Sequence, residues 1–362
     1  MKKKLFSILI ITSFCIFLFS CKNSSREKNS VNIPKQIEVD SCLVLKDIST
    51  INDDSFPLGV IESFNMINDK EFVISTLKPA AVFLYNIDEK RLQKIGAQGK
   101  GPYEYLAPSI VKQYNKKIYI WCEKLTKLLV YSLSGKPLDE YTLSRGVKDF
   151  VIHNNYAFFY LVGGFDKNVV MLFDLNQRQF LSQGFGTSTK ENLLLNINGC
   201  SGGLALDAKN LYFSLTSQPI LYKVRLTDFQ VSKIIIQDPD FINEKLDEDE
   251  DINQILSSPQ NIKYIMGSDI INGLFCTDSL VILRAAVGKI EMKGMKFTDI
   301  SKRRQKFYVL NKKLQVKYSI KAKLNKGCSD RLYSSYKDNI YTLKLDDDLE
   351  TYILSKVLIP NS

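Results

Sequence analysis

Short apolar runs recur along most of the chain, and each follows a polar turn residue. A run opened by Asn, Asp or Lys is followed by a second run with an aromatic residue near its middle. Runs of about 4–8 residues that are rich in β-branched and aromatic side chains predict strands. The first runs cover residues 69–74, 115–120, 154–159, 209–214, 278–283 and 338–343, and the second runs cover 81–86, 127–132, 169–174, 219–224, 306–311 and 350–355. The pattern predicts six copies of one β unit.

The spacing of these copies indicates a β-propeller. Successive copies lie roughly 40–70 residues apart, and a blade of four short strands needs about 40–50 residues. The runs are apolar on both sides, as expected for middle strands of a blade that packs between two neighbours. Further strands are available around each pair, for example residues 108–114 and 136–143 around the second copy. We predict an all-β, six-bladed propeller with four-stranded blades over residues 41–362; tandem β-sandwiches would not explain the sixfold repeat.

The two ends of the repeat region indicate how the ring closes. Residues 43–48 form a strand-like run without a blade of its own, whereas the last copy ends near Leu358 with little room for an outer strand. Pairing the first strand with the last blade removes two open sheet edges. We therefore predict closure by the N-terminal strand, and we expect truncation of residues 40–50 to destabilise the whole ring.

The amino terminus predicts export. Three lysines at residues 2–4 precede an apolar run over residues 5–19, which is the pattern of a secretory signal peptide. The run is shorter than the roughly 20 apolar residues that a membrane span requires. The sequence Leu-Phe-Ser-Cys at residues 18–21 resembles the bacterial lipobox, and this resemblance implies lipidation of Cys21. An uncleaved anchor, or an ordinary signal peptide with an incidental cysteine, is the alternative.

These features divide the N-terminal region into two predicted segments. Residues 1–20 are interpreted as a lipoprotein signal peptide. Residues 21–40 are interpreted as a flexible tether, because the stretch from Lys22 to Gln36 is rich in Lys, Asn and Ser and has no apolar periodicity. The predicted location is the cell envelope, as an outer membrane lipoprotein that faces the periplasm or the surface.

The charge distribution argues against nucleic acid as a partner. The formal net charge is +10, but residues 289–326 alone hold 13 Lys and Arg against two acidic residues. The first part of this basic region, residues 288–304, either offsets an acidic insertion over residues 238–251 or lines a site for an anionic ligand. We interpret the acidic insertion as a solvated charge run with a short helix, because it lacks the glycine and alternating spacing of a calcium-binding EF-hand loop.

One short motif resembles a known family. The segment Gly-Ala-Gln-Gly-Lys-Gly-Pro-Tyr-Glu-Tyr at residues 96–105 is similar to the blade-joining segment of six-bladed β-propeller lipoproteins of gut-type Gram-negative bacteria, including TolB-like propellers. The resemblance implies the fold and an exported location, but no activity. The segment at residues 96–105 is not a phosphate-binding loop, because no Lys-Ser/Thr pair and no helix follow its glycines.

The motif itself suggests a blade junction. Glycine permits backbone angles that are closed to other residues, and proline fixes the next turn. A glutamate in such a loop can accept hydrogen bonds from backbone amides. Ligand contact is the alternative interpretation, and it makes five residues the candidate binding site: Gly99, Gly101, Pro102, Glu104 and Tyr105.

The sequence offers little catalytic chemistry. His153 is the single histidine, which we interpret as structural, and neither a Gly-x-Ser-x-Gly elbow nor a His-Glu-x-x-His zinc site occurs. After removal of the signal, Cys21 and five scattered cysteines at 42, 122, 200, 276 and 328 remain, without zinc-site spacing; we interpret those five as isolated small apolar residues. No catalytic residue and no metal site are therefore assigned.

Three functions are compatible with these features. The first is a membrane-anchored binding or scaffolding propeller, monomeric and cofactor-free, whose central mouth receives a peptide, a glycan or an envelope protein. The second is a lactonase-like, calcium-dependent hydrolase, since six-bladed propellers include such enzymes. The third is a component of an envelope assembly, by analogy with TolB. Candidate calcium ligands on the inner strands are Glu62, Asn65, Asp149, Asn154, Asp207 and Asp269.

Overall fold

A computed structural model describes residues 30–51, 58–162, 168–243, 246, 251–288, 291–293, 296–299, 303–324, 328–346 and 351–359. The signal segment and the lipidation residue Cys21 lie outside the described residues. Three N-terminal strands precede the blades: β1 (Ser30–Asn32), β2 (Gln36–Cys42) and β3 (Leu45–Ile51).

The first three blades are four-stranded antiparallel sheets. Blade 1 consists of β4 (Ile61–Met66), β5 (Glu71–Leu77), β6 (Ala80–Asn86) and β7 (Arg91–Lys94), and it is followed by the short strands β8 (Ala97–Gln98) and β9 (Glu104–Tyr105). Blade 2 consists of β10 (Pro108–Tyr114), β11 (Lys117–Cys122), β12 (Lys127–Ser132) and β13 (Pro137–Thr142), and blade 3 of β14 (Val147–His153), β15 (Tyr156–Leu161), β16 (Asn168–Asp174) and β17 (Gln179–Thr187).

The remaining blades each include one N-terminal strand. Blade 4 contains β18 (Leu204–Leu206), β19 (Asn210–Ser214), β20 (Ile220–Arg225) and β21 (Val231–Gln237). Blade 5 contains β22 (Ile270–Cys276), β23 (Leu280–Val287), β26 (Arg304–Asn311) and β27 (Val316–Lys323), with a hairpin of β24 (Glu291–Lys293) and β25 (Lys296–Asp299) inserted after β23. Blade 6 contains β28 (Cys328–Tyr336), β29 (Asn339–Asp346) and β30 (Thr351–Val357).

The prediction of a six-bladed propeller is confirmed. Every first run of the sequence repeat overlaps the second strand of a blade, and every second run overlaps the third strand. The inner strands contact one another in the cyclic order β4, β10, β14, β18, β22, β28 and back to β4. Six apolar clusters, one at each interface between adjacent blades, form the core.

Ring closure by the N-terminal strand is also confirmed. Strand β3 pairs antiparallel with β30 and supplies the outer strand of blade 6, with Leu45 opposite Val357 and Ile51 opposite Tyr352. Ile51 is buried in the cluster between blades 6 and 1. Side-chain hydrogen bonds support the pairing, since Ser355 Oγ donates to Asp47 Oδ1 over 2.6 Å.

The two preceding strands differ from the sequence-based prediction. Strand β1 pairs parallel with β21 of blade 4, and β2 pairs parallel with β27 of blade 5. The predicted tether over 21–40 is therefore corrected from residue 30 onward, where the chain joins sheet edges; residues 21–29 lie outside the described residues. Edge pairing uses backbone hydrogen bonds, so a polar segment can take part without any apolar periodicity.

Three helices of the described chain lie in the connections around blade 4. Helix α1 (Lys190–Ile197) precedes the blade, whereas α2 (Ile252–Leu256) and α3 (Pro259–Gly267) follow it. The side chains of Leu194, Ile255 and Tyr264 pack together in one apolar cluster. A short helix was predicted for the acidic insertion, and α2 directly follows residue 251, but the acidic residues 247–250 lie outside the described chain. No helix among the described residues has the length and apolar character to cross a membrane.

Candidate functional site

The inner strands of all six blades surround a central channel. Its cavity has a volume of about 580 Å³ and reaches the side chains of every inner strand. The lining is strongly polar for a protein interior. Its polar residues include Glu62, Asn65, Lys112, Gln113, Lys148, Asp149, Asn272 and Ser335. A concave site of this size, with polar groups converging from several elements, is where propellers and other closed folds place small ligands.

An ion pair crosses the channel wall between blades 2 and 3. Lys112 Nζ lies 3.0 Å from Asp149 Oδ1, and the two side chains are 26% and 16% exposed. The Asp149 carboxylate also accepts hydrogen bonds from the amides of Phe150, at 2.9 Å, and Leu204, at 3.1 Å. Because Leu204 begins the inner strand of blade 4, this one carboxylate connects three blades and is already fully engaged.

Other polar side chains join neighbouring inner strands in the same way. Asn65 Oδ1 accepts a hydrogen bond from the backbone amide of Gln113 at 2.9 Å, and Ser63 Oγ accepts one from the backbone amide of Val111 at 3.1 Å. On the other side of blade 1, the Met66 amide donates to Ser334 Oγ over 3.0 Å. The channel wall is therefore held by contacts between blades, which fixes the positions of the lining groups before any ligand arrives.

Three of the six candidate calcium ligands do not line the channel. Asp207 caps the turn after β18, where it accepts from the amides of Lys209 and Asn210 at 2.8 Å. Asp269 is 1% exposed and accepts from two backbone amides, and burial raises the pKa of its carboxyl. Asn154 occupies the turn after β14 with a φ of 53°.

The carboxylates therefore do not converge as a calcium site would require. Glu62 and Asp149 line the channel, but Asp149 is paired with Lys112. Within the described ranges, no group of three or more His, Cys, Asp and Glu residues is placed to hold a metal ion. The described residues therefore contain no set of calcium ligands that would support the hydrolase hypothesis.

One buried polar residue next to the channel wall was not identified from the sequence. Arg284 is fully buried on β23, directly behind the inner strand. Its Nε donates to Asn272 Oδ1 over 3.1 Å, and its guanidinium stacks over the Tyr333 ring at 4.2 Å. The available signal was a single arginine inside the apolar strand Leu280–Val287. A buried cation in such a run requires partners from neighbouring strands.

The five motif residues lie at the junction of blades 1 and 2 and do not line the channel cavity. Glu104 Oε2 accepts a hydrogen bond from the Gly101 amide at 2.8 Å. A Cβ at position 99 would lie 2.0 Å from the same oxygen, so the glutamate occupies the space that Gly99 leaves. Pro102 lies in the turn between these glycines and Glu104.

Tyr105 anchors the junction in the core. Its ring is completely buried, and its hydroxyl donates to the Ile95 carbonyl at 2.8 Å and accepts from the Val82 amide at 3.2 Å. Burial raises the pKa of Tyr105 to about 12. These internal contacts favour the interpretation of the motif as a blade junction, and ligand binding by its residues stays a prediction.

Comparisons with solved structures agree with this architecture. A putative exported protein (BF0058) from Bacteroides fragilis NCTC 9343 is similar with a TM-score of 0.63 and 13% identity, over 91% of this chain and 100% of that chain. A member of the DUF4221 family from Bacteroides vulgatus has a TM-score of 0.64 and 10% identity, over 90% of this chain and 100% of that chain. At these identities the likeness shows the fold alone.

Sequence comparison identifies the family. No curated protein sequence matches the chain. The family model described as DUF5128, 6-bladed beta-propeller, matches residues 21–271, which is more than half of the chain. This match agrees with the six sheets and the closed ring of inner strands described above. The chain belongs to the DUF5128 family of six-bladed β-propellers.

Proposed function

We propose that this protein is an exported, lipid-anchored propeller that binds a ligand in its central channel. One observation carries the proposal: all six inner strands contribute to one polar cavity of about 580 Å³. Ligand pockets in proteins usually measure about 300–1,000 Å³. The lining offers amide and hydroxyl groups together with charges of both signs. This mixture suits a neutral, polar ligand, such as a glycan fragment or a peptide segment presented by an envelope protein.

The rigidity of the channel wall supports a binding role. Side chains of Asn65 and Asp149 are committed to backbone amides of neighbouring blades, so they position the strands. Lys148 and Gln113 also line the cavity, and their side chains are candidates for ligand contact. A site whose groups are fixed before binding loses less entropy when a ligand is ordered in it.

Titration calorimetry of residues 30–362 with neutral oligosaccharides and uncharged peptides would test the binding proposal. For any probe that binds, we expect Lys148→Ala or Gln113→Ala to weaken the affinity at least about tenfold, which is about 1.4 kcal/mol. Lys70→Ala is the matched control, because Lys70 lies in an exposed turn of blade 1. An affinity that is equal in all three variants would remove the channel as the binding site.

The lipid anchor rests on the signal peptide and on Cys21, and a structural neighbour described as exported is consistent with it. Mass spectrometry of the protein extracted from membranes should find Cys21 as the acylated first residue. Cys21→Ser removes the acylation site, so we expect the protein to lose its acyl-chain attachment and to enter the soluble fraction. A mature amino terminus at another residue would contradict the anchor.

The calcium-dependent hydrolase predicted as an alternative from the sequence has no converging set of ligands among the described residues, and it can be tested directly. Elemental analysis of the purified mature domain separates the two hypotheses. One tightly bound calcium ion per chain would favour the hydrolase and would direct attention to Glu62. Binding of an oligosaccharide or a peptide to metal-free protein would favour the binding propeller.

A further inference from the structure

A thiol and an amine lie unusually close together at the end of inner strand β22. Cys276 Sγ is 2.6 Å from Lys312 Nζ. An N–H···O hydrogen bond places its two heavy atoms about 2.9–3.0 Å apart, and sulfur is a larger atom than oxygen. Lys312 Nζ therefore donates a short hydrogen bond to Cys276 Sγ, and the two atoms are too far apart for a direct S–N bond. A single oxygen atom bonded to both atoms would produce this separation.

The amine is held in place by blade 4. Lys312 lies in the turn between β26 and β27, and its carbonyl accepts a hydrogen bond from Lys223 Nζ at 2.9 Å. Its own Nζ lies 3.6 Å from Asp207 Oδ2 and 5.6 Å from the centre of the Tyr212 ring. The side chain is 26% exposed. These contacts direct the Lys312 amine towards the thiol rather than into solvent.

The thiol is also fixed and can be reached from the channel. Cys276 is the last residue of β22, and its carbonyl accepts a hydrogen bond from Ser335 Oγ at 3.1 Å. The residue is partly buried and lines the central cavity. A small neutral oxidant such as hydrogen peroxide can therefore reach the sulfur atom through the channel. Peroxide converts accessible cysteine thiolates to sulfenic acid.

We propose that Cys276 and Lys312 form a covalent N–O–S crosslink when the protein meets hydrogen peroxide. One peroxide molecule oxidises the Cys276 thiol to sulfenic acid and is reduced to water. A second peroxide oxidises the Lys312 amine to a hydroxylamine and is likewise reduced to water. The hydroxylamine oxygen then attacks the sulfenyl sulfur and forms the S–O bond of the crosslink. The S–OH bond of the sulfenic acid breaks, and its hydroxyl leaves as water with the O–H proton of the hydroxylamine. The crosslinking reaction does not require a ligand in the channel.

The charged groups around the pair determine the pH dependence of the reaction. Burial raises the pKa of the Cys276 thiol, and the nearby Asp207 and Asp278 act in the same direction, whereas Lys312 lowers it. The thiol is therefore mostly protonated near neutral pH. Crosslinking requires the thiolate and the neutral amine, so we expect its rate to rise with pH.

Intact-mass spectrometry of residues 30–362 before and after peroxide treatment tests the proposal. The crosslink should raise the mass by about 14 Da, from one oxygen gained and two hydrogens lost. Proteolysis should give a linked pair of peptides that contain Cys276 and Lys312, and excess dithiol should return the original mass. The melting temperature should be higher in the crosslinked protein, because a closed loop restricts the unfolded chain.

Matched variants make the result specific. Lys312→Arg keeps the positive charge but should abolish the linked peptides, whereas Lys313→Arg, in the exposed position next to it, should form them normally. Cys200→Ser removes another cysteine that lines the cavity and should have no effect. Circular dichroism confirms that each variant is folded. Oxidation of Cys276 to sulfenic or sulfinic acid without linked peptides, or equal crosslinking in Lys312→Arg, would overturn the proposal.

Discussion

Lys306 and Asp238 form a buried ion pair, with Lys306 Nζ 2.7 Å from Asp238 Oδ2 and side-chain exposures of 0% and 1%. The Tyr308 hydroxyl donates to the same carboxylate at 2.5 Å. Burial and the negative charge of Asp238 raise the pKa of Tyr308 far above its ordinary value, so this hydroxyl remains a donor. Asp238 follows the outer strand of blade 4, and Lys306 lies in blade 5. The ion pair thus fixes the connection that leaves blade 4 to the sheet of blade 5.

Removing one partner of this pair should be costly. Lys306→Met leaves the Asp238 carboxylate buried without its cation, and we expect a loss of about 3–5 kcal/mol in the free energy of unfolding. Lys321→Met is the control, because Lys321 pairs with the partly exposed Asp240 and should contribute about 0–1 kcal/mol. Urea denaturation measures both. Similar losses of unfolding free energy in the two variants would show that burial does not make the Asp238 pair more important for stability than the Asp240 pair.

The N-terminal strands should differ in their contribution to the ring. A chain that begins at residue 43 lacks β1 and β2 but keeps β3, so the ring stays closed. We expect one cooperative unfolding transition with a lower midpoint. A chain that begins at residue 52 loses Ile51 and the outer strand of blade 6, and it should lose cooperative unfolding. Calorimetry of the two chains distinguishes these outcomes, and equal melting behaviour would argue against closure by β3.

Tyr105→Phe should reduce stability without affecting ligand binding. The substitution leaves the Val82 amide and the Ile95 carbonyl without their shared hydroxyl partner inside the core. An unsatisfied buried polar group costs about 1–3 kcal/mol. Denaturant titration gives the stability change, and Tyr103→Phe, in an exposed position of the same loop, is the control. Loss of ligand affinity in a stably folded Tyr105→Phe protein would instead support the binding interpretation of the motif.

The ionised carboxylate of Asp207 should stabilise the folded protein at pH values above the ordinary pKa of an aspartate. Burial alone would raise the pKa of Asp207, but hydrogen bonds from Lys209, Tyr212 and Asn210 outweigh it and place the pKa below its ordinary value of 3.8. The Asp207 carboxyl therefore binds its proton more tightly in the unfolded chain than in the folded protein. The stabilisation is present above the ordinary pKa and is lost as the pH falls through the folded value.

Asp207→Asn tests this linkage. Its stability should decline less than that of the original protein between about pH 6 and about pH 3, because the linked carboxyl is absent. Asp228→Asn, in a turn of the same blade, controls for the loss of one negative charge. Urea denaturation across this pH range provides the measurement. A parallel decline in the original protein and in Asp207→Asn would contradict the role of Asp207.

The blades could be predicted from sequence because their middle strands carry the signal. Runs such as residues 115–120 and 127–132 are largely apolar on both faces. Each blade buries both faces of its middle strands against its neighbours, so the same pattern recurs in every blade. The closing role of β3 followed from a count of strands at the two ends. By contrast, β1 and β2 could not be recognised, because parallel pairing at an edge depends on backbone hydrogen bonds and leaves no apolar pattern.

The sequence by itself determined the fold class, the number of blades and the features that predict export. Only the tertiary structure decided which polar residues meet. Asn65 and Asp149 bond to neighbouring blades, Asp207 and Asp269 satisfy backbone amides away from the channel, and Cys276 meets Lys312. A burial pattern repeats along one strand and is therefore visible in the sequence. A side-chain pair joins residues that are distant along the chain, and its geometry exists only after the ring has closed.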